Sequence, residues 1–600
     1  MNAHSRDSVL SVARVTIVFL IMVLGAFVYR NSLSGPFLTD DYYTIVRNFP
    51  LRDLSNTREI VSQNLFASAG KATSSYFRPL TQLTFALDYQ LWGLNPKGYR
   101  ATNIAAHLIN GALLFFLAQR WLSLMPAALV GLLFAVHPAN VQAIAYISSR
   151  SDPLFVLFSI LTVCLWVADK PTLRPMSWLF FLLALFSKEP AVVTPGLILL
   201  IDLASTRSLA DAKAVLIRSW HGYLGFAAVF LVYLAIRVWL LGYPLLMEKE
   251  ESFLSGGSGL LLAFKLLGKY LTLFFFPRDL AFEHTVSTPD GIMDDAVVAP
   301  VFLIALMGYL GVKLWHKERL LLIGLGWFLI GILPVLNLTP INLPMMESWL
   351  YLPEIGLIVF TVALGRLILP GKRLPVLASC LFLLLLSART IVRSADWRDP
   401  IRLFQKNAAL YPDAYLAWSG LSSAYREVHR LTDSLDALKK AQELRPGRWQ
   451  LHLSLAMHHF NANEDDSARE ELLAALRLKP DNAWAHYFLG ILEFRSGRWL
   501  DALKDFQNAL SGRPRIPMLD HLIGSTYAAM EKTAPAEAAF QKALQGTSAN
   551  PQYHAGIHIE LGRLLKERRD RRGARREFEV ALRFHPGSRR AAEELAALQK

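Results

Sequence analysis

A chain of 600 residues, 53% of them hydrophobic, with a positive mean hydropathy, is too apolar to be a set of ordinary soluble domains. The formal net charge of +14 would suit nucleic acid, but many basic residues fall in short loops between apolar runs, where they orient a membrane protein. The two cysteines, Cys164 and Cys380, lie inside apolar runs and support neither a disulfide framework nor a metal cluster.

The first apolar run, Val15 to Val28, has no small-residue cleavage site after it and reads as a retained span. About eleven spans are predicted, near residues 13–30, 101–119, 124–137, 152–169, 175–187, 190–204, 219–241, 296–314, 320–335, 354–370 and 373–388. Prolines at His137-Pro138 and Glu189-Pro190 predict helix ends beside polar loops. Basic residues from Arg120 through Lys170, Arg174, Arg207, Lys213, Arg218, Lys313, Lys317, Arg319, Lys372 and Arg373 mark the cytoplasmic side. The loops with Asp40-Asp41, His137, Lys188-Glu189 and Glu347 then share the opposite face. Gly259 to Phe276 would break that parity as a span and reads as an interfacial or re-entrant helix, with Lys265 and Lys269 on one face.

Asp40-Asp41 stand about ten residues beyond the first span in a long outer loop, residues 31–100. A carboxylate there can accept a proton from an incoming hydroxyl if a like charge or burial raises its pKa; a solvated turn is the plain alternative. Arg78 lies in the same loop and can grip phosphate in bidentate fashion, unless it is simply a surface arginine. His137 could bind a metal, relay a proton or merely cap a helix; Arg150 and Asp152, in Ser148-Ser149-Arg150-Ser151-Asp152, could pair with each other. Lys188-Glu189, between two apolar runs, are costly unless they face a polar cavity. Glu347 receives no role from chemistry alone. Nothing resembles a P-loop, a dinucleotide fingerprint or a nucleophile elbow, so no cofactor is called for and a divalent cation stays open.

From Trp397 onward the sequence is charged, Ala-rich and helical in pattern. Pro412, Pro446, Pro480 and Pro514 recur every 34 residues, and Ala468, Ala502 and Ala536 keep the same period. Small residues let paired helices approach, Phe506, Phe540 and Phe578 fill the gaps, and proline ends the second helix. This is the tetratricopeptide pattern: a half-repeat at residues 400–411 and then five repeats. The predicted architecture is all-α, a polytopic bundle over residues 1–395 followed by an α-solenoid over 396–600 that presents a concave surface to a peptide or protein. The arginine-rich end, from Arg568 to Arg576, reads as a solvated helix face.

The motif order resembles a known family: GT-C-fold membrane glycosyltransferases with tetratricopeptide repeats, similar to the transmembrane and tetratricopeptide-repeat-containing O-mannosyltransferases. The resemblance covers essentially the whole chain. It rests on Asp40-Asp41, Phe77-Arg78-Pro79-Leu80, Leu91-Trp92-Gly93-Leu94 with Asn103 and His107, His137-Pro138 with Arg150 and Asp152, Lys188-Glu189, and Glu347 before Leu350-Tyr351-Leu352-Pro353. It implies a polyprenyl-phosphate sugar donor (mannose or another hexose), a protein hydroxyl acceptor held by the repeats, inversion at the sugar, and an acid of the first outer loop as base. By position that base is Asp40 or Asp41, with a lean to Asp41; Arg78, Arg150 and Lys188 would hold the donor phosphate. His137, Asp152, Glu189 and Glu347 are further candidates, and no metal ligands are assigned. Gln142 stands where the family often has glutamate, and Ser348 where arginine is common. The expected partners are the lipid donor, a protein acceptor and membrane lipids, without nucleic acid. The expected site is a bacterial inner membrane with periplasmic repeats, or the endoplasmic reticulum with lumenal repeats in a eukaryote. Two other readings are a membrane scaffold without catalysis and a polymerase or ligase of lipid-linked glycans.

Overall fold

The computed structural model describes residues 3–66, 76–168, 170–206, 209–242, 259–338, 343–369, 373–511, 516, 518–545 and 551–598. Arg207, Lys372 and Pro514 lie outside the described residues. Contacts divide the chain into two compact units: the first contains the apolar helices and continues to Ala437, and the second runs from Leu438 through the later repeats.

In the first unit α1 (Ala3–Tyr29) is followed by the outer loop, with short α2 (Thr57–Ser62) and α3 (Pro79–Trp92). Then come α4 (Pro96–Ala118), α5 (Leu124–Val136), α6 (Val141–Ala145), α7 (Ser151–Val167), α8 (Arg174–Ser187), α9 (Thr194–Ala204) and α10 (Leu209–Leu241). After these lie α11 (Gly259–Phe275), α12 (Asp295–Lys313), α13 (Leu320–Ile332), α14 (Glu354–Ile368) and α15 (Arg373–Asp396). Helices stand at all the expected span positions. Among the described residues six are long and apolar enough to cross a membrane, and α5 with the Pro138–Ala145 segment, bent by 43°, would make a seventh. The difference from about eleven is one of length. The 14 residues of α8 rise only about 21 Å against a hydrocarbon core of about 30 Å. Prolines and polar segments cut the apolar runs there, as at Lys188-Glu189-Pro190.

The first unit also holds α16 (Pro400–Leu410) and α17 (Tyr415–Glu427). Phe404 of α16 packs edge-on against Phe282, and Asn407 brackets Glu283, accepting from its N–H at 2.7 Å and donating to its carbonyl at 2.9 Å.

Helix α18 (Leu431–Leu444) carries the boundary between the units. In the second unit follow the pairs α19 (Trp449–Asn461) with α20 (Asp465–Leu478), α21 (Ala483–Arg495) with α22 (Trp499–Ser511), α23 (Leu519–Ala529) with α24 (Thr533–Leu544), and α25 (Pro551–Glu567) with α26 (Arg571–Phe584). The last helix is α27 (Arg589–Ala597). A Cβ at Gly490 would meet the Phe506 ring at 2.6 Å, and the same close approach recurs at Gly524 with Phe540 and Gly562 with Phe578. Small residues on one helix and a phenylalanine on its mate hold each pair, as the repeat pattern predicts. A second periodic contact was not anticipated: His452, His486 and His558 each meet a carboxylate on the paired helix, Glu471, Asp505 and Glu577, at 2.6–2.7 Å.

Candidate functional site

The segment Ser148 to Asp152, a single 3-10 turn running into α7, gathers several of the polar residues singled out in the sequence. Asp41 is fully buried. One of its oxygens accepts from the Ser148 N–H at 2.8 Å and from the Ser148 hydroxyl at 2.5 Å; the other accepts from the Leu38 N–H at 2.9 Å. Burial pushes the Asp41 carboxyl up to about 6, against these hydrogen bonds and the charge of Arg100, which pull it down.

Asp40 is only half-buried. Its N–H donates to the Tyr146 hydroxyl at 3.2 Å, and its carbonyl accepts from the Thr44 hydroxyl at 2.9 Å. Thr39, just before the acids, has a φ of 36°, a conformation that β-branched residues avoid. The hydroxyl of Tyr146, 2.7 Å from that of Thr39, braces it. Strain of this kind amounts to about 1–3 kcal/mol and persists where surrounding structure enforces it.

Arg78 precedes α3 and donates through Nε and Nη2 to one oxygen of Glu189, at 3.1 and 2.9 Å, and through Nη1 to the Ser151 hydroxyl at 3.2 Å. Lys188 meets Asp152 at 2.6 Å. Asp41, Arg78, Asp152, Lys188 and Glu189 therefore all attach to Ser148–Asp152 or to each other.

Arg150 points the other way. Its guanidinium, 1% exposed, pairs with Asp88 at 2.5 Å and donates to Asn103 Oδ1 and the Tyr99 carbonyl, both at 2.7 Å. The expectation that Arg150 holds a ligand phosphate thus meets a cation whose donors are committed inside the fold. Asn103, a residue of the resemblance, is one of its anchors.

His137 and Glu347 lie in neighbouring clusters. His137 stacks on Phe274, reaches the Phe274 carbonyl at 3.1 Å and lies 3.4 Å from Glu354. Glu347, fully buried, accepts from the Ala281 N–H at 2.5 Å, meets His284 at 3.2 Å and lies 3.4 Å from Arg393. The two departures from the family pattern touch: the Gln142 side-chain carbonyl accepts from the Ser348 N–H at 3.0 Å.

Sequence reading missed Asp88, Tyr146 and Arg237. Arg237 is 2% exposed inside the apolar α10 and lies 4.0 Å from Glu189. An ionisable residue in the middle of an apolar helix was itself a signal. Asp88 and Tyr146 gave none, because their importance arises only from what the fold brings to them. Among the described residues no group of three or more His, Cys, Asp or Glu could hold a metal ion.

Fold and sequence together define a helical membrane protein with a cluster of acidic and basic residues beyond its first apolar helix and a tetratricopeptide-repeat solenoid. The tetratricopeptide repeat family profile matches residues 421–483 and 453–517. Curated relatives include the Caenorhabditis elegans protein O-mannosyl-transferase F38B6.6, 23% identical over 66% of this chain and 58% of that protein. Human protein O-mannosyl-transferase TMTC3 is 21% identical over 89% of this chain and 65% of its own length; human TMTC4 is 27% identical over 64% and 60%. These relatives are the O-mannosyltransferases whose motif order this chain resembles. The chain spans less than two thirds of the length of each of the three. Among solved structures, YrrB, a TPR protein with an unusual peptide-binding site, is 18% identical over 32% of this chain and 96% of its own, with a TM-score of 0.29.

Proposed function

We propose that the chain is a membrane glycosyltransferase of the protein O-mannosyltransferase kind, with a GT-C-type membrane part over residues 1–395 and a repeat part over 396–600. It moves a sugar from a polyprenyl-phosphate donor to a protein hydroxyl on the non-cytoplasmic face, a bacterial periplasm or a lumen. The observation that carries this reading is the braced turn at Thr39, Asp40 and Asp41. Its two adjacent acids have different surroundings, one buried and saturated with hydrogen bonds, the other half-buried on a strained turn.

The division favours Asp40 over Asp41 as the base. A carboxylate whose oxygens already accept three hydrogen bonds is poorly placed to take a proton from an acceptor, but well placed to fix its neighbour. Asp40 removes the acceptor proton, the oxygen attacks the anomeric carbon, and the lipid phosphate leaves with the electron pair of the broken bond. Such direct displacement inverts the anomeric centre. Arg78, 11% exposed in its side chain and backed by Glu189, is the cation of the cluster best placed to meet the departing phosphate. Lys188 holds Asp152, and Arg150 holds the floor. The repeats present the acceptor segment.

The test is transfer of mannose from polyprenyl-phosphate mannose to serine- and threonine-containing peptides by the purified chain. Asp40→Asn is expected to reduce transfer by about 100-fold or more, the usual contribution of a general base. Full transfer by Asp40→Asn, or no transfer by the native chain from any polyprenyl-phosphate hexose, would sink the reading.

A further inference from the structure

Arg100, one turn before Asn103 on α4, is fully buried, and its guanidinium lies against the entry to the turn that carries Asp40 and Asp41. Its Nε donates to the Ala145 carbonyl at 2.9 Å, and its two terminal nitrogens donate to the carbonyls of Gly35 and Pro36. Those three carbonyls flank the acids on both sides. Pro36 stands two residues before Leu38, whose N–H donates to Asp41, and Ala145 directly precedes Tyr146, whose hydroxyl accepts from the Asp40 N–H. Gly35 makes room for this approach: a Cβ there would meet the guanidinium carbon at 3.3 Å. Asn103 donates to the Ile144 carbonyl at 3.2 Å and so holds the same wall.

Carbonyls satisfy the N–H groups of a guanidinium but do not neutralise it, and a buried charge without a counter-charge is costly. Arg150 shows the contrast, since its charge meets Asp88 at 2.5 Å. Arg100 has no carboxylate at salt-bridge distance among the described residues, and the acid whose charge reaches it is Asp41. Asp41 in turn has Asp40 beside it in the chain and faces Tyr42 from the turn that follows, Tyr146 and Arg150 from the segment that leads into α7, and Arg100 from α4. Of these groups Arg100 is the cation not already spent on another acid. Two adjacent acids, one of them buried, need such a charge if both are to stay ionised near neutral pH.

We infer that Arg100 is a positioning residue of the transfer reaction: its charge keeps Asp41 ionised, and its three backbone contacts hold the turn from which Asp40 works. The inference rests on the reading that Asp40 is the base, and Arg100 acts through Asp41 and the backbone rather than on a reacting atom. Without the guanidinium charge Asp41 takes up a proton near neutral pH. Its oxygens accept from the N–H groups of Leu38 and Ser148, so an added O–H sets donor against donor and loosens the turn.

The experiment pairs two readouts on the full chain in detergent. One is the infrared band of the protonated Asp41 carboxyl, identified by its loss in Asp41→Asn and followed against pH; the other is the pH profile of mannose transfer to peptide, with kcat and KM separated. In Arg100→Gln the Asp41 midpoint and the acid limb of kcat should both move upward by about one pH unit or more, with donor and acceptor KM near native. Arg100→Lys keeps the charge and should hold both at their native positions, while its plateau kcat falls because the Gly35 and Pro36 carbonyls lose the fork that held them. Either quantity unmoved in Arg100→Gln overturns the inference, and so does an equal displacement in Arg100→Lys. If Arg100→Gln does not fold, its combination with Asp41→Asn decides: removing both charges should restore folded chain, and a double variant no better than the single one overturns the pairing. If the midpoint moves as expected but the native chain transfers no sugar, the coupling of Arg100 to Asp41 stands and the transferase reading falls. If the native chain transfers sugar and the acid limb of Arg100→Gln stays in place, the inference falls and the transferase reading stands.

Discussion

Asp41 and Ser148, 107 residues apart, are joined by two hydrogen bonds into one carboxylate oxygen, from the serine N–H at 2.8 Å and from its hydroxyl at 2.5 Å. The first outer loop is thereby fastened to the start of α7. Removing the hydroxyl in Ser148→Ala leaves the N–H contact and takes away a bond that stabilises the charged form, so the Asp41 carboxyl should titrate above its present value of about 6. The folded carboxyl already holds its proton more tightly than the ordinary 3.8, so stability declines as pH rises from about 3.8 to about 6 and is flat beyond. Activity should run the opposite way, falling as pH drops through about 6, because a protonated Asp41 loses an acceptor that the loop needs. The pH profile of peptide mannosylation checks this: Ser148→Ala should move its acid limb upward and leave the plateau within a few-fold of the native value.

The pair Arg150 and Asp88, 2.5 Å apart and almost wholly buried, yields a second expectation. Arg150→Ala should lower stability by about 3–5 kcal/mol, because it strands a buried carboxylate. Arg150→Met with Asp88→Leu should recover much of the loss by removing both charges. Thermal unfolding in detergent reads the stability. The donor KM of the recovered double variant reads the role: a near-native KM means that Arg150 is scaffold, whereas a rise of tenfold or more would restore it as a phosphate ligand.

The repeats were legible because their signal is periodic: the prolines and alanines return every 34 residues, and each Gly and Phe pair must approach for the helices to pack. The outer-face site was legible only in part. Adjacent acids beyond a span, and a lysine and glutamate between apolar runs, look unusual wherever the chain folds. Which cation is free is another matter. Arg78 and Arg150 look alike in sequence, and only the fold puts Asp88 against one and Glu189 against the other. His137 had the same ambiguity, and its ring lies on Phe274, a residue of a helix more than a hundred positions away. Long-range burial decides such cases, and a single sequence does not display it.

The clamp at His486 makes the stability of its repeat pH-dependent. His486, against Asp505 at 2.7 Å, is partly desolvated, which lowers its pKa, but its hydrogen bonds to Asp505 and to the Pro480 carbonyl, with the charges of Asp505 and Asp481, outweigh this and leave it raised above the ordinary 6.5. A raised histidine adds stability in full below the unfolded value and loses it as pH rises through the folded one. Amide hydrogen exchange of the full chain should therefore show α21 and α22 better protected at pH 6 than at pH 8. His486→Gln should shrink that difference. An equal pH response in native and variant chains would remove the clamp from the explanation.

Gln142 and Ser348 offer the last test, since the two departures from the family pattern meet at 3.0 Å in a buried place. Ser348→Arg alone should add a second cation to the buried Asp152–Lys188 pair, leaving an excess positive charge, and Gln142→Glu alone an excess negative one. Each single variant is expected to lose folded protein through a penalty of several kcal/mol, the usual cost of an uncompensated buried charge. Together the two charges compensate, so Gln142→Glu with Ser348→Arg should fold better than either single variant. Size-exclusion yield and thermal unfolding of the three variants measure this coupling. If the double variant is no better than the sum of the singles, the two positions are not partners, and the neutral pair in this chain is not a substitute for the charged one.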